Sequence, residues 1–441
     1  MNVLKFGGTS VGSYESIQQI KSIVESQNKK TLIVLSAMSG VTNELVKINA
    51  KLKSGDSKID THIEFIKSKH QSVSRKLFSD KTIIEEVDNY IDSILNNIEK
   101  FRDEFLTKEG EAIIITLGET LSTYIFSRYL KANNISNQLL DASFFMMVEN
   151  DENPNLKIIN TLFNREIERI ESSDIYITQG FIRIDRNNKI STLDRGGSDY
   201  TATILGAALE ADEVQIWTDI DGFHNNDPRY VENTQPIEYL TFDEAAELAY
   251  FGAKILHPKT VMPIRKKGIP LYLKNTFKPE SNGTLIFNKS KYYGLKSISA
   301  KDGITAIKVK SNKMLMAYGF LMKIFEVFEK HKTPIDMITT SEVAISLTID
   351  TTTKLDKIVK ELKNYGEIEV ETNQSIICLV GQSIIEDKGS NKIFELLNEM
   401  PVRMISYGGS ENNISLLVSE ENKVTALQSL HQKLFHNIIK V

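Results

Sequence analysis

One cysteine in 441 residues, Cys378, excludes an internal disulfide framework and any cysteine-rich zinc site. Long apolar runs are missing too. Those present, such as residues 112–115 and 376–380, are strand-sized and far shorter than the roughly 18–20 residues that cross a bilayer. The opening Met1-Asn2-Val3-Leu4-Lys5-Phe6-Gly7-Gly8 lacks the basic-then-apolar shape of a signal peptide, so a cytoplasmic protein is expected. Excess positive charge is also absent. A net charge of −5 argues against binding nucleic acid, whose phosphates favour a basic face.

What is present suits a large enzyme. With 41% hydrophobic residues the chain can bury sizeable cores, and 441 residues predict about two to four domains. Up to about residue 285, β-rich runs alternate with helical patterns. Strands are expected at 3–6, 31–35, 112–117, 175–178 and 214–218, and helices at 14–26, 120–132, 199–209 and 242–256, with two more between 61 and 107. Such alternation predicts an α/β domain with a mostly parallel sheet covered by helices on both faces. Ligands then sit beyond the carboxyl ends of the strands. From about residue 300 the pattern becomes βαββαβ, and it returns about seventy residues later. Asp336-Met337-Ile338-Thr339-Thr340-Ser341-Glu342 in the first copy is echoed by Arg403-Met404-Ile405-Ser406-Tyr407-Gly408-Gly409-Ser410-Glu411 in the second, whose last strand is expected at 438–441. The tail therefore reads as two ferredoxin-like modules. The expected division is 1–285, a linker over 286–303, and modules at 304–372 and 373–441.

Several strand-to-helix corners carry chemistry. In Lys5-Phe6-Gly7-Gly8-Thr9-Ser10, paired glycines let amides approach an anion, and Lys5 can reach phosphate oxygens; the plainer reading is a turn with a surface lysine. Ser36-Ala37-Met38-Ser39-Gly40-Val41-Thr42-Asn43 offers hydroxyls, which equally suit helix capping by Ser39 or Thr42. Gly118-Glu119-Thr120, expected after a strand, places Glu119 either at a helix N-terminus or against a substrate ammonium. Arg195-Gly196-Gly197-Ser198-Asp199 joins a carboxylate-binding arginine to two glycines, which exceeds what a cap by Asp199 requires. Trp217-Thr218-Asp219-Ile220-Asp221-Gly222 and Asn226-Asp227-Pro228-Arg229 are turns that can also shape a nucleotide site. Phe251-Gly252-Ala253-Lys254 ends a helix, where Lys254 either complements the dipole or meets phosphate; His257 before Pro258 reads as structural.

In order and spacing, the segments around Lys5, Arg195, Trp217 and Phe251 resemble the signature segments of aspartate kinases, and the two tail modules resemble that family's ACT domains. The resemblance covers essentially the whole chain. It implies an amino-acid-kinase fold and transfer of a phosphoryl group from ATP to the β-carboxylate of L-aspartate, the first step towards lysine, threonine and methionine. By motif, Lys5 and Asp199 would be catalytic; Thr42, Glu119, Arg195 and Ser198 would hold aspartate, Arg195 on its α-carboxylate and Glu119 near its ammonium. Lys5, Gly7, Gly8, Thr218, Asp219, His224, Arg229 and Lys254 would hold ATP. Mg²⁺ is expected to bind mainly through the ATP phosphates, with no metal site built from protein residues. Gly319-Phe320-Leu321 and Ile338-Thr339-Thr340-Ser341-Glu342 resemble the monofunctional, lysine-sensitive branch. Effector contacts would be Met314, Phe320, Leu321, Asp336, Thr340, Ser341 and Glu342, with a homodimer or homotetramer formed through the ACT domains. The chain departs from the family pattern at Asp194 (glycine expected), His224 (tyrosine expected) and Ala317 (a polar residue expected).

A carboxylate acceptor, with an ordinary pKa of ~4, is already an anion at neutral pH and needs no general base. Catalysis then reduces to positioning and charge neutralisation. Two rivals stand beside this reading. One is a glutamate or acetylglutamate kinase of the same fold, which the paired tail and the Arg195 segment disfavour. The other is a catalytically silent amino-acid sensor, disfavoured by the joint presence of Lys5, Glu119, Arg195 and Asp219.

Overall fold

The computed structural model describes residues 1–56, 58–102, 105–149, 153–193, 196–252, 256–289, 292–312, 318–387, 392–395 and 398–435. Its contacts divide the chain into two compact units. The first is Met1–Phe223, Glu238–Phe242 and Leu256–Lys289, and the second is His224–Ile237, Asp243–Ile255 and Ser290–Val441. No helix among the described residues is long and apolar enough to cross a membrane.

In the first unit, β1 (Asn2–Phe6), α1 (Tyr14–Glu25), β2 (Thr31–Leu35), α2 (Val41–Lys53), α3 (Asp60–Leu77), α4 (Lys81–Asn96) and α5 (Lys108–Ala132) come first. They are followed by β3 (Gln138–Leu140), α6 (Leu156–Ile167), β4 (Ile175–Gln179), the small hairpin β5 (Ile182–Ile184) and β6 (Ile190–Thr192), and α7 (Gly197–Ala208). The unit closes with β7 (Glu213–Thr218), β8 (Tyr239–Thr241), the start of α8 (Phe242–Tyr250), α9 (Met262–Lys267), β9 (Leu271–Asn275) and β10 (Thr284–Phe287). The main sheet runs β3-β4-β2-β1-β7-β9-β10-β8. Its pairs are parallel except β9 with β10. β1 and β2 are buried at every position, which is why they read as continuous apolar runs rather than alternating ones. β1 has β2 on one side and β7 on the other, so the carboxyl end of β1 opens where the winding of the chain reverses.

One expectation fails here. Residues 112–117 are not a strand; they lie inside α5, a 25-residue helix whose N-cap Thr107 accepts the Gly110 amide. α5 is buried on most sides, so no apolar stripe shows at helical period, and its run of isoleucines imitates a buried strand. The helix expected over 242–256 ends at Tyr250, with residues 253–255 outside the described residues.

The second unit holds β11 (Gly294–Lys310), α10 (Phe320–Lys330), β12 (Ile338–Thr340), β13 (Ala344–Ile349), α11 (Leu355–Leu362), β14 (Glu367–Gln382), β15 (Met404–Ser406), β16 (Asn413–Ser419) and α12 (Lys423–Phe435). One antiparallel sheet runs β12-β13-β11-β14-β16-β15. Two cores support it. Ile307, Val309, Ile324, Phe328, Leu347 and Ile358 form one, and Ile377, Leu379, Leu416, Val418, Leu427 and Leu430 the other. The two modules are interleaved, which the sequence does not reveal. The carboxyl half of β11 pairs with the first half of β14 inside one module (Ala306↔Glu371 to Lys310↔Glu367). The amino half of β11 pairs with the second half of β14 (Gly294↔Gln382 to Lys301↔Ile376) and flanks the other module. Residues 294–303 are thus strand rather than linker, and 284–287 are β10. Their serines are buried, Ser297 at 2% and Ser299 at 7% exposure, so no apolar alternation marks them. The strand expected at 438–441 lies outside the described residues, as does part of the helix expected at 391–400.

Candidate active site

The turns after β1, β2 and β7 press together at the carboxyl end of the sheet. The Gly7 amide donates to the Trp217 carbonyl at 3.1 Å, and the Ser39 amide donates to the Gly8 carbonyl at 3.0 Å. A Cβ at Gly8 would lie 2.8 Å from the Ala37 oxygen, so only glycine allows this approach. Lys5 extends from β1 so that its Nζ stands 2.7 Å from Asp199 Oδ1, in the first turn of α7. Asp199 is therefore not the cap of α7. That position is Gly196, at φ 76°, with no side-chain cap. Neither Ser39 nor Thr42 caps α2: Gly40, at φ 84°, is its N-cap, and Thr42 sits half-buried in the first turn.

Ser198 lies one residue before Asp199 and packs on the turn after β4, where a Cβ at Gly180 would fall 2.5 Å from its Oγ. Gly197 is equally constrained by the Phe181 ring, at 2.3 Å from an added Cβ. Arg195, with Asp194 beside it, lies outside the described residues.

Glu119 is in the middle of α5, not at a corner, and only 3% exposed. α5 reaches the turn after β2 because residue 118 is glycine: a Cβ there would meet the Ala37 Cβ at 2.6 Å. Ser122, on the same side of α5, donates to the Ser36 carbonyl at 2.7 Å. Burial pushes the Glu119 carboxyl up to about 8, and the Ala37 amide offsets this only in part. Its Oε2 has no partner among the described residues.

Thr218 ends β7, and its hydroxyl donates to Asp219 Oδ1 at 3.0 Å; Asp219 is exposed. Asn275, at the end of β9, donates to the Asp219 carbonyl at 3.3 Å. Sequence reasoning missed Lys274, whose only signal is its register opposite Trp217. Its Nζ lies 5.0 Å from the Trp217 ring centroid, and burial lowers its pKa. His224 and Arg229 belong to the second unit. There His224 Nδ1 is 3.0 Å from Thr234 Oγ1, and Arg229 Nη2 is 2.6 Å from Asp227 Oδ2. Lys254 lies outside the described residues. His257 accepts the Lys259 amide as cap of the short turn that follows it.

Among the expected effector residues, Phe320 is buried in a module core, packed edge-on to Tyr365. Leu321, Thr340, Ser341 and Glu342 are exposed. The Asp336 side chain is buried, 1% exposed, against Lys301. Met314 and Ala317 lie outside the described residues.

A doubly covered parallel sheet with glycine turns and a lysine–aspartate pair at its switch point defines a kinase of small acids, followed by a regulatory sheet. Residues 1–275 match the model of the amino acid kinase family, and residues 377–434 match an ACT domain model. Aspartokinase 3, chloroplastic, of Arabidopsis thaliana is 34% identical over 98% of this chain and 81% of its own length. Lysine-sensitive aspartokinase 3 of Escherichia coli is 33% identical over 98% of this chain and 99% of its own. The crystal structure of E. coli aspartokinase III in complex with aspartate and ADP (R-state) superposes with a TM-score of 0.82 at 32% identity, covering 99% of this chain and 100% of that one. The chain belongs to the aspartate kinases, which transfer the terminal phosphoryl group of ATP to the β-carboxylate of L-aspartate.

Proposed function

We propose that Lys5, Asp199 and Glu119 carry this reaction at the end of β1, with lysine as the feedback effector. The observation that supports the site best is Glu119: a buried carboxylate with one oxygen unmatched is a receptor for a cation of fixed position. The α-ammonium of aspartate supplies that cation. Arg195 takes the α-carboxylate by a bidentate pair, and Thr42 and Ser198 complete the cradle. The β-carboxylate attacks the γ-phosphorus as ADP leaves, and no proton need be removed from it. Lys5, held by Asp199, neutralises charge on the transferring phosphoryl group. The Gly8 amide assists, the Gly7 amide being engaged by the Trp217 carbonyl, while Thr218 and Asp219 hold ATP.

Among the described residues no three His, Cys, Asp or Glu side chains gather as a metal cluster. The exposed Asp219, beside a nucleotide, suits an ion that takes one or two carboxylates and keeps phosphates and water as its other ligands. Mg²⁺ bound in that way would supply charge neutralisation.

A coupled ADP-release assay with L-aspartate, L-glutamate, N-acetyl-L-glutamate and N-acetyl-L-aspartate tests the site. Aspartate alone should turn over. Turnover of N-acetyl-L-aspartate, which has no ammonium, would remove Glu119 from the assigned role. Arg195→Ala should raise the KM for aspartate far more than it lowers kcat.

For regulation, the buried Asp336 is suited to a cationic amino acid, and the family resemblance adds Leu321, Thr340, Ser341, Glu342 and Met314 as contacts; Phe320 serves the module core. The name of the E. coli relative, lysine-sensitive, supports lysine. Assembly through the ACT domains and a cytoplasmic location complete the reading. Millimolar lysine that left both activity and oligomeric state unchanged would count against it.

A further inference from the structure

Helix α8 carries Glu244, Glu247 and Tyr250 at three-residue intervals, along one side. Each engages the sheet of the second unit. Glu244 Oε2 lies 2.8 Å from Lys296 Nζ, both buried. Glu247 accepts from Asn413 Nδ2 at 2.5 Å and from Ser410 Oγ at 3.3 Å. Tyr250 donates its phenol to Asp336 Oδ1 at 2.6 Å. The same Asp336 oxygen stands 2.8 Å from Lys301 Nζ. That ammonium also lies 2.9 Å from Asp350 Oδ2 and 4.3 Å from the centroid of the Tyr250 ring. Asp336 Oδ2 has no partner among the described residues.

Two features make this more than a surface contact. Ser410-Glu411 is the repeat's counterpart of Ser341-Glu342, so α8 already occupies one candidate ligand position with its own Glu247. In the other module, the acid assigned to the effector cation already holds one ammonium and one phenol of the chain itself. Burial and then the hydrogen bond to Asp336 hold the phenol above its ordinary pKa, so it remains a donor. α8 also begins at Phe242, buried in the first unit and continuous with β8 of the catalytic sheet.

We propose that Tyr250 couples the effector site to α8. A cationic amino acid that engages Asp336 competes with Tyr250 and Lys301 for that carboxylate, and release of the end of α8 is the regulatory signal. This rests on the reading of Asp336 as the effector carboxylate. A ligand shifts such an equilibrium only by its differential contacts with the two arrangements, and the Tyr250–Asp336 hydrogen bond is a contact made in one of them.

The test is Tyr250→Phe in the full chain, which keeps the ring beneath Lys301 and removes only the hydroxyl. Lysine binding is measured by calorimetry, and activity with aspartate and ATP is followed by ADP release. Loss of the competing hydrogen bond should tighten lysine binding by about threefold or more. Because the variant already lacks the tether that lysine displaces, activity without lysine should fall towards the lysine-inhibited level, while activity at saturating lysine and Tm stay at wild-type values. A purely structural role for the hydroxyl would lower Tm without tightening lysine binding. Wild-type Kd together with wild-type activity without lysine in Tyr250→Phe would overturn the coupling. A wild-type protein that neither binds nor responds to lysine is a different result: it overturns the effector reading, and the coupling falls with it.

Discussion

Lys5 Nζ and Asp199 Oδ1 are 2.7 Å apart, and they join the first strand of the chain to a helix almost two hundred residues later. Their side chains are only 10% and 14% exposed, so the ammonium is held in one place, which on the proposed mechanism is where two anions meet. A lysine is otherwise a flexible point charge, and here its carboxylate partner supplies the missing direction.

Replacing Lys5 with alanine should therefore lower kcat by about 10²–10³-fold with little change in the KM for aspartate, since the charge is used in the transition state. Asp199→Asn should lower kcat by about tenfold or more, through a disoriented lysine. Steady-state kinetics on both variants and the double variant check this. Additive losses in the double variant would show that the two residues act independently.

The second expectation concerns pH. Burial pushes the Glu119 carboxyl up to about 8 in the free protein, while the proposed contact with the ammonium of aspartate requires its anion. Below about pH 8 a proton must leave as aspartate binds. The KM for aspartate should fall by up to about tenfold per unit as pH rises from about 6 to 8, then level off. Stability runs in the opposite sense. The folded chain keeps a proton that the unfolded chain gives up above about 4.5, so this group's contribution declines as pH rises from about 4.5 to about 8. Glu119→Gln should flatten both profiles, raising Tm at pH 8 while weakening aspartate binding. Initial rates and thermal unfolding between pH 6 and 9 check both directions.

A third expectation separates helix propensity from packing. Alanine in place of a mid-helix glycine ordinarily gains about 1 kcal/mol. Gly118→Ala should instead destabilise by about 1–2 kcal/mol, because the added Cβ falls 2.6 Å from that of Ala37 and 3.0 Å from Val41 Cγ1. The same displacement moves Glu119 from the turn after β2, so the KM for aspartate should rise with the loss of stability. Denaturant unfolding and kinetics on this one variant check both effects.

The corners at Lys5, Gly8 and Ser198 were legible in the sequence because paired glycines after buried strands are local signals, and the structure brings them together. The repeat in the tail was legible in part, since β12, β13 and α11 of the first half are answered in the same order by β15, β16 and α12 of the second. Glu119 was expected at a corner after a strand and lies mid-helix: α5 is buried on most sides, so its isoleucines imitate a strand. Tyr250, Lys301 and Lys274 were missed because their partners are distant in sequence or across the sheet. Tyr250 meets Asp336 across eighty-six positions, and no local pattern encodes such a pairing.

The crossing of β11 and β14 between modules has a consequence for how the tail can come apart. Residues 294–301 precede one module in the chain yet flank the other in space, so the module built on the second half of β14 is not a contiguous piece that can be cut free with all its strands. The two should open as a single foldon, with the amides along both long strands exchanging together instead of in two separate classes. A fragment beginning at residue 311 would expose β14 along the whole edge that β11 now covers, a template for the wrong partner as readily as the right one.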